Sequence, residues 1–132
     1  MSIEHRREKP LIYSCSGCSS AAQMANDTAL RLDREGVAEM SCIAGVGGDV
    51  PSLVKVAKSG RKIIVLDGCM LECAKSCLKK QDVEPDIHHV LSEYGVKKRK
   101  HQNYNMAEGE EVYLKIRDSI TKRWFEPGKG RN

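Results

Sequence analysis

The apolar positions of this chain alternate between short continuous runs and stretches with helical spacing. The run at 11–17 (LIYSCSG) predicts a short buried strand that passes into a turn. Between residues 19 and 35, apolar residues recur every three or four positions, which predicts a helix with one buried face. The residues on that face are Ala22, Ala25, Ala29 and Leu32. Because three of these four are alanines, we expect the helix to lie close to a sheet.

The next segment repeats this order of strand and helix. Residues 38–43 (AEMSCI) predict a second strand, and the glycine-rich residues 44–48 predict a loop. After that loop, Asp49 is a suitable helix cap and Pro51 is tolerated in a first turn. We therefore expect a second helix that begins behind Asp49 and continues to about residue 58.

The clearest strand lies at 62–69 (KIIVLDGC), where four aliphatic residues stand in a row. A continuous apolar run of this kind is typical of a strand that is covered on both faces, as in parallel sheets. Residues 70–81 then predict a helix and residues 86–95 a fourth strand. A basic loop at 97–105 leads to a last amphipathic helix at 108–125.

The predicted order of elements, four strands alternating with four helices, is typical of an α/β fold. We predict a small three-layer αβα domain at 11–126, with flexible tails at 1–10 and 127–132. Right-handed crossovers with helices on both faces favour a four-stranded parallel sheet in the order 2-1-3-4. Ligands of such sheets bind beyond the carboxyl ends of the strands, at the point where the connections diverge. Here that point lies between strands one and three.

Composition narrows the class of protein. The chain has 132 residues, of which 40% are hydrophobic and 30% charged, as in one globular domain. Its net charge of +4 is too small a surplus to predict a nucleic-acid partner. The basic run at 97–101 has no interleaved aromatic residue, so we expect it to be a solvated loop. No apolar run is long enough to span a membrane, and the apolar stretch at 11–13 is too short for a secretion signal. We therefore expect a cytoplasmic protein.

Six cysteines are the unusual feature of the composition. In a reducing compartment, clustered cysteines more often bind metal or carry out redox chemistry than form structural disulfides. Cys15 and Cys18 form a C-x2-C motif in the turn after strand one, where Gly17 permits a sharp bend. Cys69 and Cys73 form a C-x3-C motif in the corresponding turn after strand three.

The two motifs predict one metal site, because both turns lie at the same edge of the predicted sheet. Four thiolates from two short loops match the requirements of a tetrahedral zinc ion, with Zn–S distances of about 2.3 Å. The predicted zinc ligands are Cys15, Cys18, Cys69 and Cys73.

The two other cysteines are weaker candidates for this site. Cys42 ends strand two and is the reserve ligand. On a continuous helix that begins at residue 70, Cys77 would lie roughly 12 Å along the axis from Cys69, too far to share an ion. We therefore expect Cys77 to pack on its helix.

Four motifs of the chain show a family resemblance. YSCSGCS, SCIAGVGG, VLDGC followed by C-x3-C, and HHVLSEYGVKK resemble, in this order, the DGC-domain family, whose members are taken to be zinc-binding proteins. The family name describes the motif that stands here as Asp67, Gly68 and Cys69. The resemblance covers about residues 11–98 and implies metal binding through cysteines, with zinc as the ion, but no substrate or reaction. The family's usual proline after the DGC cysteine is Met70 here, which leaves the ligands intact.

The predicted function is therefore that of a zinc-binding protein, in metal handling or in a metal-stabilised interaction with a protein partner. A closed site of four cysteines has no open coordination position, and no catalytic constellation stands beside the cysteines, so whether the chain is an enzyme stays open. We expect Asp67 to form the turn or cap a helix. His88 and His89 point to opposite faces of a strand, so they cannot bind one ion together and are expected to be structural.

Two alternatives use the same cysteines. A strand followed by C-x2-C at the start of a helix is also typical of thioredoxin-like sites, so Cys15 and Cys18 could serve a thiol–disulfide oxidoreductase. Four thiolates could also hold an iron–sulfur cluster, although the spacings match neither common ferredoxin pattern.

Overall fold

A four-stranded sheet forms the centre of the molecule in the computed structural model, which describes residues 9–125. The strands are β1 (Leu11–Ser14), β2 (Glu39–Met40), β3 (Ile63–Asp67) and β4 (Ile87–Val90). Neighbouring strands are all parallel, and their order across the sheet is β2-β1-β3-β4. The predicted α/β class and strand order are both confirmed.

Helices cover both faces of this sheet. The helices are α1 (Ser20–Arg34), α2 (Ile43–Gly47), α3 (Pro51–Ala57), α4 (Cys73–Lys80) and α5 (Met106–Ile120). A 3-10 turn follows β4 at Leu91–Tyr94, and a π turn follows α5 at Thr121–Phe125. Helices α1 and α5 pack in one core with Ile12, Ile64 and Leu66, whereas the opposite core contains Tyr13, Val65 and residues of α2, α3 and α4. The layers are therefore αβα.

The two central strands are buried along their whole length, which explains their continuous apolar sequence. The alanine face of α1 lies against them, with Ala21, Ala25 and Ala29 fully buried. Ser19 caps this helix, because its hydroxyl accepts a hydrogen bond from the Ala22 amide at 3.1 Å. The cap fixes the start of α1, which therefore begins shortly after β1 ends.

The prediction of a glycine-rich loop at 44–48 is wrong, because these residues form most of α2. Gly45 packs so closely on α3 that a Cβ atom there would lie 1.9 Å from the Leu53 side chain. The glycine therefore allows two short helices to touch. The predicted cap at Asp49 is also wrong, since Val50 holds the N-cap position of α3. Asp49 adopts a positive φ of 61°, and its carboxylate contacts Lys80 and Gln81 of the α4 end.

Other differences concern the ends of elements. Strand β4 stops at Val90 and continues as a 3-10 turn, and α5 begins at Met106, two residues earlier than expected. The predicted tails fall outside the described residues, except for Lys9 and Pro10, and the Pro10 carbonyl accepts a hydrogen bond from the Glu39 amide. Within residues 9–125, no helix is long and apolar enough to cross a membrane.

Candidate metal centre

The loops that follow β1 and β3 border one cavity at the carboxyl edge of the sheet. Its volume is about 240 Å³. Four of the six cysteines line it, namely Cys15, Cys18, Cys69 and Cys73. These are the four predicted zinc ligands, so the sequence motifs and the strand order bring together the residues that were singled out for this chemistry. We refer to this space as the cysteine cavity.

The first loop holds Cys15 against the neighbouring strand. The Cys15 amide donates to the Leu66 carbonyl at 3.1 Å, which continues the pairing of β1 with β3. Gly17 has a φ of +142°, a conformation that residues with a side chain rarely adopt, so the predicted bend is present. Cys18 follows as an exposed residue directly before the Ser19 cap of α1.

The second loop touches the first through Gly68. Its amide donates a hydrogen bond to the Cys15 sulfur at 3.1 Å. A Cβ atom at Gly68 would lie 2.7 to 2.9 Å from main-chain atoms of Ala21 and Ala22. Glycine is therefore needed here because the loop packs directly on the first turn of α1.

A buried carboxylate supports the second loop from below. Asp67 is fully buried, and its oxygens accept hydrogen bonds from the amides of Ala74 at 2.8 Å and Lys75 at 3.3 Å. Asp67 thus caps α4, in agreement with the expectation from sequence. The same carboxylate lies 2.9 Å from Nε2 of His88, whose Nδ1 lies 3.9 Å from the Glu72 carboxylate.

The prediction that the helix begins at residue 70 is wrong, because α4 begins at Cys73. Glu72 adopts a left-handed conformation, with φ of 54° and ψ of 47°, which separates Cys69 from the helix. Cys69 and Cys77 therefore do not lie on one continuous helix, and helical rise does not set the distance between them.

Cys42 and Cys77 do not border the cysteine cavity. Cys42 is exposed at the N-cap position of α2. Cys77 lies one turn along α4, with its sulfur 2.8 Å from the position that a Cβ atom would take on Gly47 of α2. Burial raises the pKa of the Cys77 thiol. Its surroundings are those of a packed side chain at the contact between α2 and α4.

The cavity thiols influence one another electrostatically. Burial raises the pKa of Cys15 to about 11, and the negative charges of Asp67, Cys73 and Cys69 act in the same direction, against the hydrogen bond from Gly68. Burial therefore favours the neutral thiol of Cys15. A bound cation would reverse this balance, because it favours the thiolate.

The donor set suits a thiophilic metal ion, although the side chains would have to converge further to bind one. None of the six cysteines forms a disulfide, so all four cavity sulfurs are available as ligands. Within residues 9–125, no three His, Cys, Asp or Glu side chains lie close enough together, as they stand, to hold an ion. Thiolate sulfur is a ligand type that zinc favours in structural sites.

Two further residues of the cavity, Lys98 and Lys100, were not predicted from the sequence as part of this site. Both line it, and the ammonium group of Lys98 donates to the Cys69 sulfur at 3.6 Å. They belong to the basic run that was expected to be a solvated loop. Their positions depend on pairing with residues almost 80 positions earlier in the chain, such as Ser20 with Arg99. The sequence carries one relevant signal, the absence of an acidic residue from this run.

Comparison with known proteins identifies relatives of the whole domain. The DGC domain family matches residues 11–116. The "Anaerobic and virulence modulator AnvM" of Pseudomonas aeruginosa strain PAO1 is 54% identical over 112 residues, which cover 85% of this chain and 86% of that protein. No solved structure matches. The matched residues include both cysteine loops and all four strands, and the chain belongs to the DGC domain family.

Proposed function

We propose that this protein binds one zinc ion through the thiolates of Cys15, Cys18, Cys69 and Cys73. The observation that carries the proposal is that these four cysteines, and neither of the other two, line a single cavity where the loops after β1 and β3 meet. Thiolate sulfur from four cysteines is a common donor set of structural zinc sites. The ligands follow adjacent strands, so they can converge through side-chain rotation and small movements of the loops.

In this proposal the ion joins two loops that already touch at this edge of the sheet. The Gly68 amide and the Cys15 sulfur form one hydrogen bond between the two loops. Four zinc–thiolate bonds would tie the start of α1 to the start of α4. A site that is closed by four protein ligands leaves no position for a substrate, so we assign the ion a role in metal handling or in stabilising an interaction surface, not in hydrolysis.

The relative AnvM is named as a modulator, and we propose a regulatory role of the same kind here, exerted through a protein partner. Met70 and Leu71, between the two cysteines of the second loop, expose 65% and 68% of their surface. Apolar side chains exposed at the rim of a site are suited to contact another protein. We place this function in the cytoplasm, where the thiols would stay reduced and available for metal.

The alternative of a thiol–disulfide oxidoreductase has less support. Such an enzyme needs a cysteine that is readily deprotonated, because the thiolate is the nucleophile. Cys15 is partly buried, and its pKa is raised to about 11. The cavity also contains Cys69 and Cys73, which a C-x2-C mechanism leaves without a role.

The proposal is tested by metal analysis of protein purified without added metal, together with titration of reactive thiols before and after a chelator. We expect one zinc ion per chain and four thiols that become reactive only after chelation. Iron and sulfide with visible absorption would instead indicate an iron–sulfur cluster. Protein that stays free of metal in every growth medium, including one supplemented with zinc, would overturn the proposal.

A further inference from the structure

A short basic segment, residues 97–101, crosses the start of α1 and is held there by main-chain hydrogen bonds; we call it the strap. The Ser20 amide donates to the Arg99 carbonyl at 2.8 Å, and the Arg99 amide donates to the Ser20 hydroxyl at 3.0 Å. The His101 amide donates to the Cys18 carbonyl at 3.1 Å. The strap is therefore attached to the same loop that carries the first pair of cysteines.

The side chains of the strap alternate between two cavities. Lys98 and Lys100 line the cysteine cavity. Lys97 and Arg99 line a different cavity, of about 360 Å³, which Tyr104 also borders. This alternation is what an extended segment produces when it is paired with a neighbour on one side. Two cations thus face the thiols, and two cations of the same segment face away from them.

The charged side chains that line the cysteine cavity are all cationic, although the buried Asp67 carboxylate acts on Cys15 from behind it. Among the described residues that line it, Lys98 and Lys100 are cationic and none is a carboxylate. The Lys98 ammonium already contacts the Cys69 sulfur at 3.6 Å. Four thiolates around a divalent zinc ion carry two excess negative charges, which are costly where the site is partly withdrawn from water. The two lysines carry two positive charges, which equal the two excess negative charges of the complex.

We infer that Lys98 and Lys100 are the charge partners of a metal–thiolate complex in the cysteine cavity. This inference rests on the proposed function. It attributes part of the affinity for zinc to two residues that are not zinc ligands. The two lysines act as positioning residues, because they act through the cysteines and not by contact with the ion. Their positive charges stabilise the anionic complex, so they slow the release of the metal.

The test is a competition titration of the full-length protein with zinc and a coloured chelator, in wild type and two double variants. Residues that support metal ligands typically change metal affinity by about 10- to 100-fold when they are replaced. We expect a loss in that range for K98Q/K100Q. The matched control, K97Q/R99Q, removes the same number of charges from the same strap and should stay within about threefold of wild type.

Two further measurements separate charge from structure. The variant K98R/K100R keeps both charges and should bind zinc within about threefold of wild type, which a purely steric role would not produce. Thermal unfolding of the metal-free proteins should give the same transition for all variants, because the replaced side chains are exposed. If K98Q/K100Q were to unfold early, the single variant K98Q provides the same comparison with a smaller expected loss.

The outcomes distinguish this inference from the proposed function. If wild type binds one zinc ion through four thiols and both glutamine double variants lose the same affinity, the effect is that of general surface charge and the inference is overturned. The same holds if K98Q/K100Q binds as tightly as wild type, or if the arginine variant is as weak as the glutamine variant. A wild-type chain without zinc affinity overturns the proposed function and, with it, the inference.

Discussion

The six cysteines occupy two regions that differ in surroundings although they lie close together in the fold. Four line the cavity formed by the loops after β1 and β3, whereas Cys42 and Cys77 lie along α2 and α4. β1 and β3 are neighbours paired over four residues, so the loops that follow them meet. Strand β2 is an edge strand of two residues, and the chain turns from it into α2. The meeting of the loops after β1 and β3 therefore brings Cys15, Cys18, Cys69 and Cys73 to one cavity.

The largest expected effect is on metal affinity. Replacing Cys69 with serine should weaken zinc binding by at least about 100-fold, because a weakly acidic hydroxyl replaces a thiolate ligand. The matched variant Cys77→Ser, one turn outside the cavity, should change affinity by less than about threefold. Competition with a coloured chelator measures both. Equal losses in the two variants would show that the distinction between the two regions is wrong.

Two glycines provide the next comparison, since each lies against a different kind of neighbour. A Cβ atom at Gly68 meets main-chain atoms of Ala21 and Ala22, which cannot move without displacing α1. Gly68→Ala should therefore lower the free energy of unfolding by about 1 to 3 kcal/mol and also weaken zinc binding, because the two loops are forced apart.

The control is Gly47→Ala, where the new Cβ atom meets the side-chain sulfur of Cys77. A cysteine side chain can rotate, so we expect a smaller loss of stability, below about 1 kcal/mol, and no change in zinc affinity. Denaturant unfolding of the metal-free proteins gives the stability differences. A greater loss in Gly47→Ala than in Gly68→Ala would contradict the packing described for the cavity.

Two aspartates give the third comparison. Asp67 is fully buried and accepts hydrogen bonds from two amides beside His88, so Asp67→Asn should lower stability by about 1 to 3 kcal/mol. Asp49 forms an exposed ion pair with Lys80 at 3.0 Å on the α2 side, so Asp49→Asn should lower stability much less than Asp67→Asn does. Denaturant unfolding at pH 7 measures both, and similar losses would be evidence against the supporting role of Asp67.

The features that the sequence predicted correctly depend on local patterns. The continuous apolar runs identify the central strands, and the spacing of alanines identifies α1. Parallel order with right-handed crossovers then places both cysteine loops at one edge of the sheet. None of these steps requires knowledge of a contact between distant residues.

The features that it missed depend on contacts between elements. The glycines of α2 let Gly45 pack closely on Leu53 of α3, a contact that glycine-rich composition does not reveal. The start of α4 at Cys73 follows from the cap by Asp67 and from the left-handed Glu72. The contribution of Lys98 to the cavity depends on the pairing of the strap with α1.

The attachment of the strap to Cys18 also has a consequence for the order in which the protein matures. Synthesis proceeds from the amino end, so all four cavity cysteines are made before residues 97–101. Until then the carbonyl of Cys18 lacks its hydrogen-bond donor, the His101 amide. The rim of the cavity is thus completed last, when Lys98 and Lys100 take their places beside cysteines that were made before them.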